Sequence, residues 1–327
     1  MTPALETLAQ RVLAGDRRAL ARAITLIESQ RPDHLEQAEA LLERLLPATG
    51  GAIRLGVSGA PGAGKSTFIE ALGQHVIGQG QKIAVLAVDP SSRRSGGAIL
   101  GDKTRMQRLA QAQGAFIRPS PAGTTLGGIA RRTREAALVC EAAGFDLIVI
   151  ETVGVGQSET AVADMVDGFL LLLAPGGGDD LQGIKRGIVE LADLLVINKA
   201  DGDLLPAARR AKADYQAALH LLRPASAAWT PEVLTCSALH GEGIEEVWDA
   251  VLRHRLELED EGELAARRAR QTDSWLLAEV QALLLDALRR DPATAGLLAE
   301  LQSAVGSGEL LPPHAARRLL ARFRGES

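Results

Sequence analysis

The sequence predicts an α/β fold, a doubly wound and mostly parallel sheet with a helical extension at each end. Three observations lead there. Six short runs, "AIRLGVSG", "KIAVLAVDP", "FDLIVIETVG", "GFLLLLAP", "DLLVINKAD" and "EVLTCSAL", are of strand length and largely apolar, the pattern of strands buried on both faces. Helical segments such as "ARRTREAALVCEAAG" separate them, and strand–helix alternation builds parallel sheets with helices above and below. Polar residues stand at the carboxyl ends of the runs: the glycines after Val57, Asp89 after Val88, Glu151 after Ile150 and Asn198 after Ile197. Ligands in such sheets sit beyond that edge, so the four tips predict one shared site.

In chain order, residues 1–50 read as a helical segment. "LETLAQRVLAG" and "HLEQAEALLERLL" place apolar residues three and four apart, and "PATGG" ends the pattern. Residues 51–258 hold the six runs. From 259 to 327 the strand signals stop; "GELAARRARQTDSWLLAEVQALLLDALRR" and two shorter segments read as helices, one of them interrupted by "LLPP". The "LLLDALRR" stripe and Trp275 exceed what a lone exposed helix carries, so they pack on the body of the protein or on another subunit.

Composition excludes several classes. A chain of 327 residues is long enough for a full core, and 46% hydrophobic with 24% charged residues is ordinary for a globular protein. A net charge of −5 gives no footing for a nucleic-acid or membrane partner. Cys140 and Cys236 are far apart and lack metal-ligand spacing, which fits a reducing compartment. No basic-then-apolar leader is present, and no apolar run approaches the roughly 20 residues of a membrane span. The expectation is a cytoplasmic protein.

"GAPGAGKST", residues 59–67, follows a predicted strand and opens a predicted helix. It fits G-x-x-x-x-G-K-[ST], the P-loop, with Gly59, Gly64, Lys65 and Ser66 at the defining positions. Glycines let the backbone curl so that successive N–H groups face phosphate oxygens, and the helix N-terminus adds positive potential. The candidate nucleotide-binding residues are Gly59, Ala60, Pro61, Gly62, Ala63, Gly64, Lys65, Ser66 and Thr67. Lys65 is expected to reach the β- and γ-phosphates and the Ser66 hydroxyl to ligate Mg²⁺.

"VINKAD" puts Asn198, Lys199 and Asp201 just past a buried strand. N-K-x-D there reads guanine, because the Asp201 carboxylate accepts from both N1–H and the exocyclic amine. Adenine has neither donor, and a buried polar group left unmatched discriminates by roughly 10⁴-fold or more. "CSALHG", after the next strand, suits a loop whose backbone N–H groups bind the guanine carbonyl.

The remaining acids point to the metal. Glu151-Thr152-Val153-Gly154 keeps the spacing of the Asp-x-x-Gly motif with one more methylene on the acid, which brings the carboxylate nearer the γ-phosphate to hold a metal water or orient the attacking one. Asp89 is assigned to the second metal shell and Asp102 to a ligand near Mg²⁺. Arg105 is either a γ-phosphate contact or a surface residue. Val155 stands where small Ras-like GTPases place their water-orienting glutamine, so hydrolysis by the chain alone is expected to be slow, with Gln157 a candidate substitute. "PGGGDDLQGIKRG" is glycine-rich and charged, either a surface connection or a segment that orders on nucleotide or partner binding; its place after a core strand favours the second.

Together "GAPGAGKST", "AVDPSS", "GGAILGDKTRM", "FIRPSPAGTTLGG", "ETVGVGQSE", "GGGDDLQGIKRG" and "NKAD" resemble the MeaB/ArgK-type GTPases, a methylmalonyl-CoA mutase-associated family in the glutamate-bearing branch of P-loop GTPases. The resemblance spans almost the whole chain. It implies GTP hydrolysis coupled to loading or protecting adenosylcobalamin on an acyl-CoA mutase, and homodimerisation through the C-terminal helices. It carries over Lys65, Ser66, Asp89, Asp102 and Glu151 as the phosphate and Mg²⁺ set, and Asn198, Lys199, Asp201, Ser237, Ala238 and Leu239 as the guanine set. The segment with Asp179, Asp180, Gln182 and Lys185 resembles a switch that responds to the mutase. The chain lacks the D-x-H-x-x-G cobalamin signature, so adenosylcobalamin would enter only through the partner.

Other classes fit less well. A metal-inserting GTPase would need exposed Cys/His clusters, and the six histidines (His34, His75, His220, His240, His254, His314) are scattered. A signal-recognition GTPase would need a basic or Met-rich appendage. "NKAD" argues against a small-molecule kinase, and both that motif and the missing membrane segment argue against an amino-acid transport ATPase.

Overall fold

The structure, a computed structural model, describes residues 2–29, 31–88, 106–119, 126–152, 158–175, 186–220 and 226–325. It divides into two compact units, Met1–Arg268 and Ala269–Ser327.

In the first unit, three helices, α1 (Pro3–Leu13), α2 (Arg17–Glu28) and α3 (Pro32–Leu45), precede the sheet. Each starts where its sequence allows. Thr2 and Asp16 cap α1 and α2 with side-chain oxygens, and Pro32 opens α3, where a missing N–H costs nothing. The alternating region then runs β1 (Ile53–Gly59), α4 (Lys65–Gly78), β2 (Ile83–Val88), α5 (Gln107–Gln111), β3 (Ala115–Arg118), α6 (Leu126–Ala142), β4 (Leu147–Thr152), α7 (Ser158–Ala163), β5 (Gly168–Leu173), α8 (Arg186–Val189), β6 (Leu194–Ile197), α9 (Leu205–Leu219), β7 (Glu232–Thr235) and α10 (Ile244–Asp260).

The described residues form seven strands, all parallel, in the order β3-β2-β4-β1-β5-β6-β7. The α/β expectation therefore holds. The seventh strand, β3, was not among the six predicted runs. "AFIR" lies on the sheet's edge, and its apolar run is cut off after Ile117 by Arg118 and Pro119.

Helices cover both faces, and side chains alternate between two cores. Ile148, Ile150, Leu171 and Ile197 join the core built with α1–α3 and α6. Val57, Val149, Leu170 and Val196 join the other, with Phe68, Ile69 and Leu72 of α4 and Trp248 of α10. By that alternation Glu151 and Asn198 lie on the α4 face.

At the amino ends of the strands an ionic clasp holds the sheet. Asp167, before β5, accepts from the Arg54 N–H of β1 at 2.9 Å, and Asp193, before β6, accepts from the Phe169 N–H of β5 at 2.8 Å. α11 (Glu263–Arg290) carries adjacent arginines in its second turn that pair with these acids. Arg267 grips Asp193 at 3.0 and 3.1 Å, and Arg268 grips Asp167 at 2.7 and 2.8 Å. Bidentate pairs fix orientation as well as distance, so the second turn of α11 is fixed to the feet of β5 and β6.

Burial alone would push the Asp193 carboxyl up, but the His254 imidazole 3.4 Å away and the paired Arg267 guanidinium outweigh it and hold the group at about 2. This folded-state value lies below the ordinary 3.8. The pairing therefore stabilises the fold fully above about pH 4 and loses its effect as pH falls toward 2, a contribution of about 2 kcal/mol. Arg267→Met leaves the Asp193 charge buried without its arginine partner, and we expect a loss of about 3 kcal/mol at pH 7. Urea unfolding at pH 7 and pH 3 checks this; the gap from wild type should narrow at the lower pH.

The second unit contains the rest of α11, α12 (Pro292–Gly306) and α13 (Pro312–Phe323). Asp291 caps α12. "LLPP" does not interrupt a helix as the sequence reading had it: α12 ends at Gly306, and Pro312 is the first residue of α13, a position proline favours because its N–H would be unpaired in any case. Leu276, Leu277, Leu283, Leu284 and Leu285 along α11 are 54% to 64% exposed. Among the described residues no helix is long and apolar enough to cross a membrane.

Candidate functional site

The carboxyl edge of the sheet gathers the described candidate residues. β1 ends at Gly59, packed so tightly on β5 that a Cβ there would collide with the Leu172 carbonyl oxygen. Gly64, just before α4, has a left-handed φ of 91°, and a Cβ there would lie 2.6 Å from the Asn198 amide nitrogen. Both glycines are thus required by geometry, one by close approach and the other by backbone conformation as well. Gly64 offers α4 no side-chain cap, which leaves the positive end of the helix without a built-in acceptor at that position. The Lys65 ammonium folds back over the loop and donates to the carbonyls of Gly59 at 2.6 Å and Ala60 at 3.4 Å. Ser66 is partly buried and Thr67 exposed.

Glu151 stands in register with Val57 on β1 and Ala87 on β2, and is only 3% exposed. A carboxylate buried at a strand tip needs a compensating environment, and its place beside the β1 tip puts it next to the strand that carries the P-loop.

Asn198 ties the two halves of the edge together. It directly follows β6. Its amide donates to the Ala63 carbonyl at 2.9 Å, and its carbonyl accepts from the Ala238 N–H at 3.0 Å, with the Cys236 thiol at 3.5 Å. One side chain therefore touches both the P-loop and the "CSALHG" loop. Lys199 has a φ of 57°, rare for a non-glycine residue and typical of functional turns; its side chain passes within 4.0 Å of where a Gly64 Cβ would be. The Ser237 hydroxyl donates to the Asp201 carboxylate, which orients that carboxylate. Ala238 is buried, while the Leu239 side chain is 76% exposed. Burial pushes the Cys236 thiol up to about 12, so it is held as a neutral packing group.

Gly59 to Thr67, Glu151, Asn198, Lys199, Asp201 and Ser237 to Leu239 thus lie along one edge. Asp89, Asp102, Arg105, Gln157, Asp179, Asp180, Gln182 and Lys185 lie outside the described residues. Sequence reasoning missed a buried hydroxyl pair: Thr152, at the end of β4, donates to Ser58 on β1 at 2.8 Å. No spacing rule links these residues; only the pairing of β1 with β4 brings them together. Among the described residues no group of three or more His, Cys, Asp or Glu side chains is arranged to hold a metal ion.

The family model described as "Methylmalonyl Co-A mutase-associated GTPase MeaB" matches residues 20–293. The chain belongs to the MeaB family. A Caulobacter vibrioides relative is 59% identical over 325 residues, covering 99% of each chain. GTPase ArgK of Escherichia coli is 52% identical over 279 residues, 85% of this chain and 84% of its own. The mitochondrial methylmalonic aciduria type A homolog of Mus musculus is 49% identical over 326 residues, 96% of this chain and 78% of its own. Among solved structures, that of a LAO/AO transport system kinase is similar with a TM-score of 0.78 at 41% identity, covering 99% of both chains. Membership in the MeaB family bears out the resemblance drawn from the motifs and agrees with the parallel sheet.

Proposed function

We propose that this protein is a GTPase that uses nucleotide hydrolysis to gate the loading or protection of adenosylcobalamin on an acyl-CoA mutase of the methylmalonyl type. The observation that carries the nucleotide reading is Asn198, whose single amide bridges the P-loop and the base-side loop. A phosphate site and a guanine site joined by one hydrogen-bonded side chain serve one ligand, GTP or GDP.

In the reaction, water attacks the γ-phosphorus, the bond from that phosphorus to the β–γ bridging oxygen breaks, and GDP leaves. The water's proton passes to the released phosphate or to solvent. The P-loop N–H groups and Lys65 stabilise the negative phosphate oxygens. Glu151 orients the attacking water or a metal-bound one, and Asp201 reads the guanine. The Ser66 hydroxyl and Glu151 carboxylate are hard oxygen donors of the kind Mg²⁺ prefers, with Asp89 and Asp102 as further members of the set. When bound, Mg²⁺ would neutralise charge on the phosphates.

Val155, at the position of the water-orienting glutamine of Ras-like proteins, supports a slow basal rate. The partner would then complete the site through residues 175–187, including Asp179, Asp180, Gln182 and Lys185, with Arg105 and Gln157 as further contributors. The exposed leucines of α11 support a homodimer through residues 259–327, a buried apolar stripe being more stable than one left in water.

Co-purification with a methylmalonyl-CoA mutase tests the reading. The complex should contain two copies of this chain by light scattering and hydrolyse GTP about tenfold faster or more than the chain alone. The isolated chain should bind GTP and GDP with Mg²⁺ but not adenosylcobalamin. A lack of both complex and stimulation would overturn the mutase assignment.

A further inference from the structure

We propose that the Ser58–Thr152 hydroxyl pair is a positioning lock that sets the distance between the Glu151 carboxylate and the P-loop. The proposal rests on the reading of Glu151 as the acid of a GTPase site. Ser58 is the last residue before Gly59, and Thr152 directly follows Glu151. They lie one residue beyond the paired Val57 and Glu151, and their hydroxyls meet at 2.8 Å with both residues 0% exposed. Side chains alternate along each strand, so this hydrogen bond lies on the face away from α4. Val57 and Glu151 point to the α4 face.

By the same alternation the pair lies on the opposite face of the strands from the Glu151 side chain. It binds the two strand tips from behind, at the residues adjoining each. At a parallel strand end the ladder has no further rungs to hold the separation, and a buried hydroxyl pair supplies one directional cross-link where the backbone pattern stops. In-line attack on a phosphoryl group is sensitive to displacement of about 1 Å, which can change rates about 10²-fold. That makes these two residues positioning residues rather than catalytic ones.

The test is the double variant Ser58→Ala/Thr152→Val. Replacing both partners by apolar groups of similar shape leaves no orphaned hydroxyl, so folding stability should be close to wild type. GDP affinity should stay within about twofold. Single-turnover GTP hydrolysis should fall about tenfold or more. Mn²⁺ affinity, read by electron paramagnetic resonance with a nonhydrolysable GTP analogue bound, should weaken in parallel. Thr152→Ser, which keeps the hydroxyl, should retain the wild-type rate and Mn²⁺ affinity; losses there as large as in Thr152→Val alone would overturn the lock, and this pair of single variants decides if the double variant is unstable. Glu151→Gln separates the two readings. If it loses hydrolysis while the double variant keeps wild-type rate and Mn²⁺ affinity, the lock is wrong and the role of Glu151 stands. If Glu151→Gln hydrolyses GTP normally, the role of Glu151 falls and the lock falls with it.

Discussion

Asp201→Asn will shift nucleotide preference from GTP to xanthosine triphosphate, with GTP binding weakened by about 10⁴-fold. A carboxylate accepts two hydrogen bonds from the Watson–Crick edge of guanine. The amide accepts from N1–H but presents its own N–H₂ to the guanine amine, so donor faces donor. Xanthine carries a carbonyl at that position and restores the match. The surroundings favour a clean exchange: Ser237 donates its hydroxyl to the Asp201 carboxylate and can donate to an amide oxygen in the same place. Asn198, which ties the P-loop to the same region, is untouched. Titration of both triphosphates into wild type and variant reads the result directly. Unchanged GTP affinity in Asp201→Asn would remove the guanine assignment.

Glu151→Gln is expected to lower GTP hydrolysis by about 10²- to 10³-fold, the usual cost of removing one preorganised electrostatic group from a water-excluded site. The residue is 3% exposed, and glutamine preserves its size. The variant should therefore fold as well as wild type or better, because a buried carboxylate carries a desolvation penalty that an amide does not. GDP affinity should change less than the rate does. Rapid-quench hydrolysis with thermal unfolding of the same sample distinguishes a lost catalytic charge from a damaged fold. A wild-type rate in Glu151→Gln would place the chemistry elsewhere.

Parts of this molecule were legible in the chain because their physics is local. A strand buried on both faces must be apolar at nearly every position, and β2, β4, β5 and β6 announced themselves that way; β7, an edge strand buried only at Val233, showed as a weaker apolar run. β3 did not: "AFIR" is cut off as an apolar run by Arg118 and Pro119 and gains its partner only when β2 lies beside it. The proline pair in "LLPP" reads as a break, yet Pro312 opens α13, where its missing N–H costs nothing, and α12 has already ended at Gly306. The charges of Asp167, Asp193, Arg267 and Arg268 look like solvated surface in sequence, but the fold buries the two acids and half-buries the two arginines as the clasp beneath the sheet.

The glycine spacing of the P-loop and the residue types of "NKAD" depend on a few consecutive backbone torsions and functional groups, so the linear chain alone was enough to specify them. Which distant residues meet depended on strand order. Asn198 reaches Ala63 across 135 positions, and Thr152 reaches Ser58 across 94. Parallel strands pair only after a helix has crossed over between them, and a one-residue slip would turn each of these side chains to the opposite face. Hydrogen bonds between separate strand tips are therefore a property of the assembled sheet, and only its register decided them.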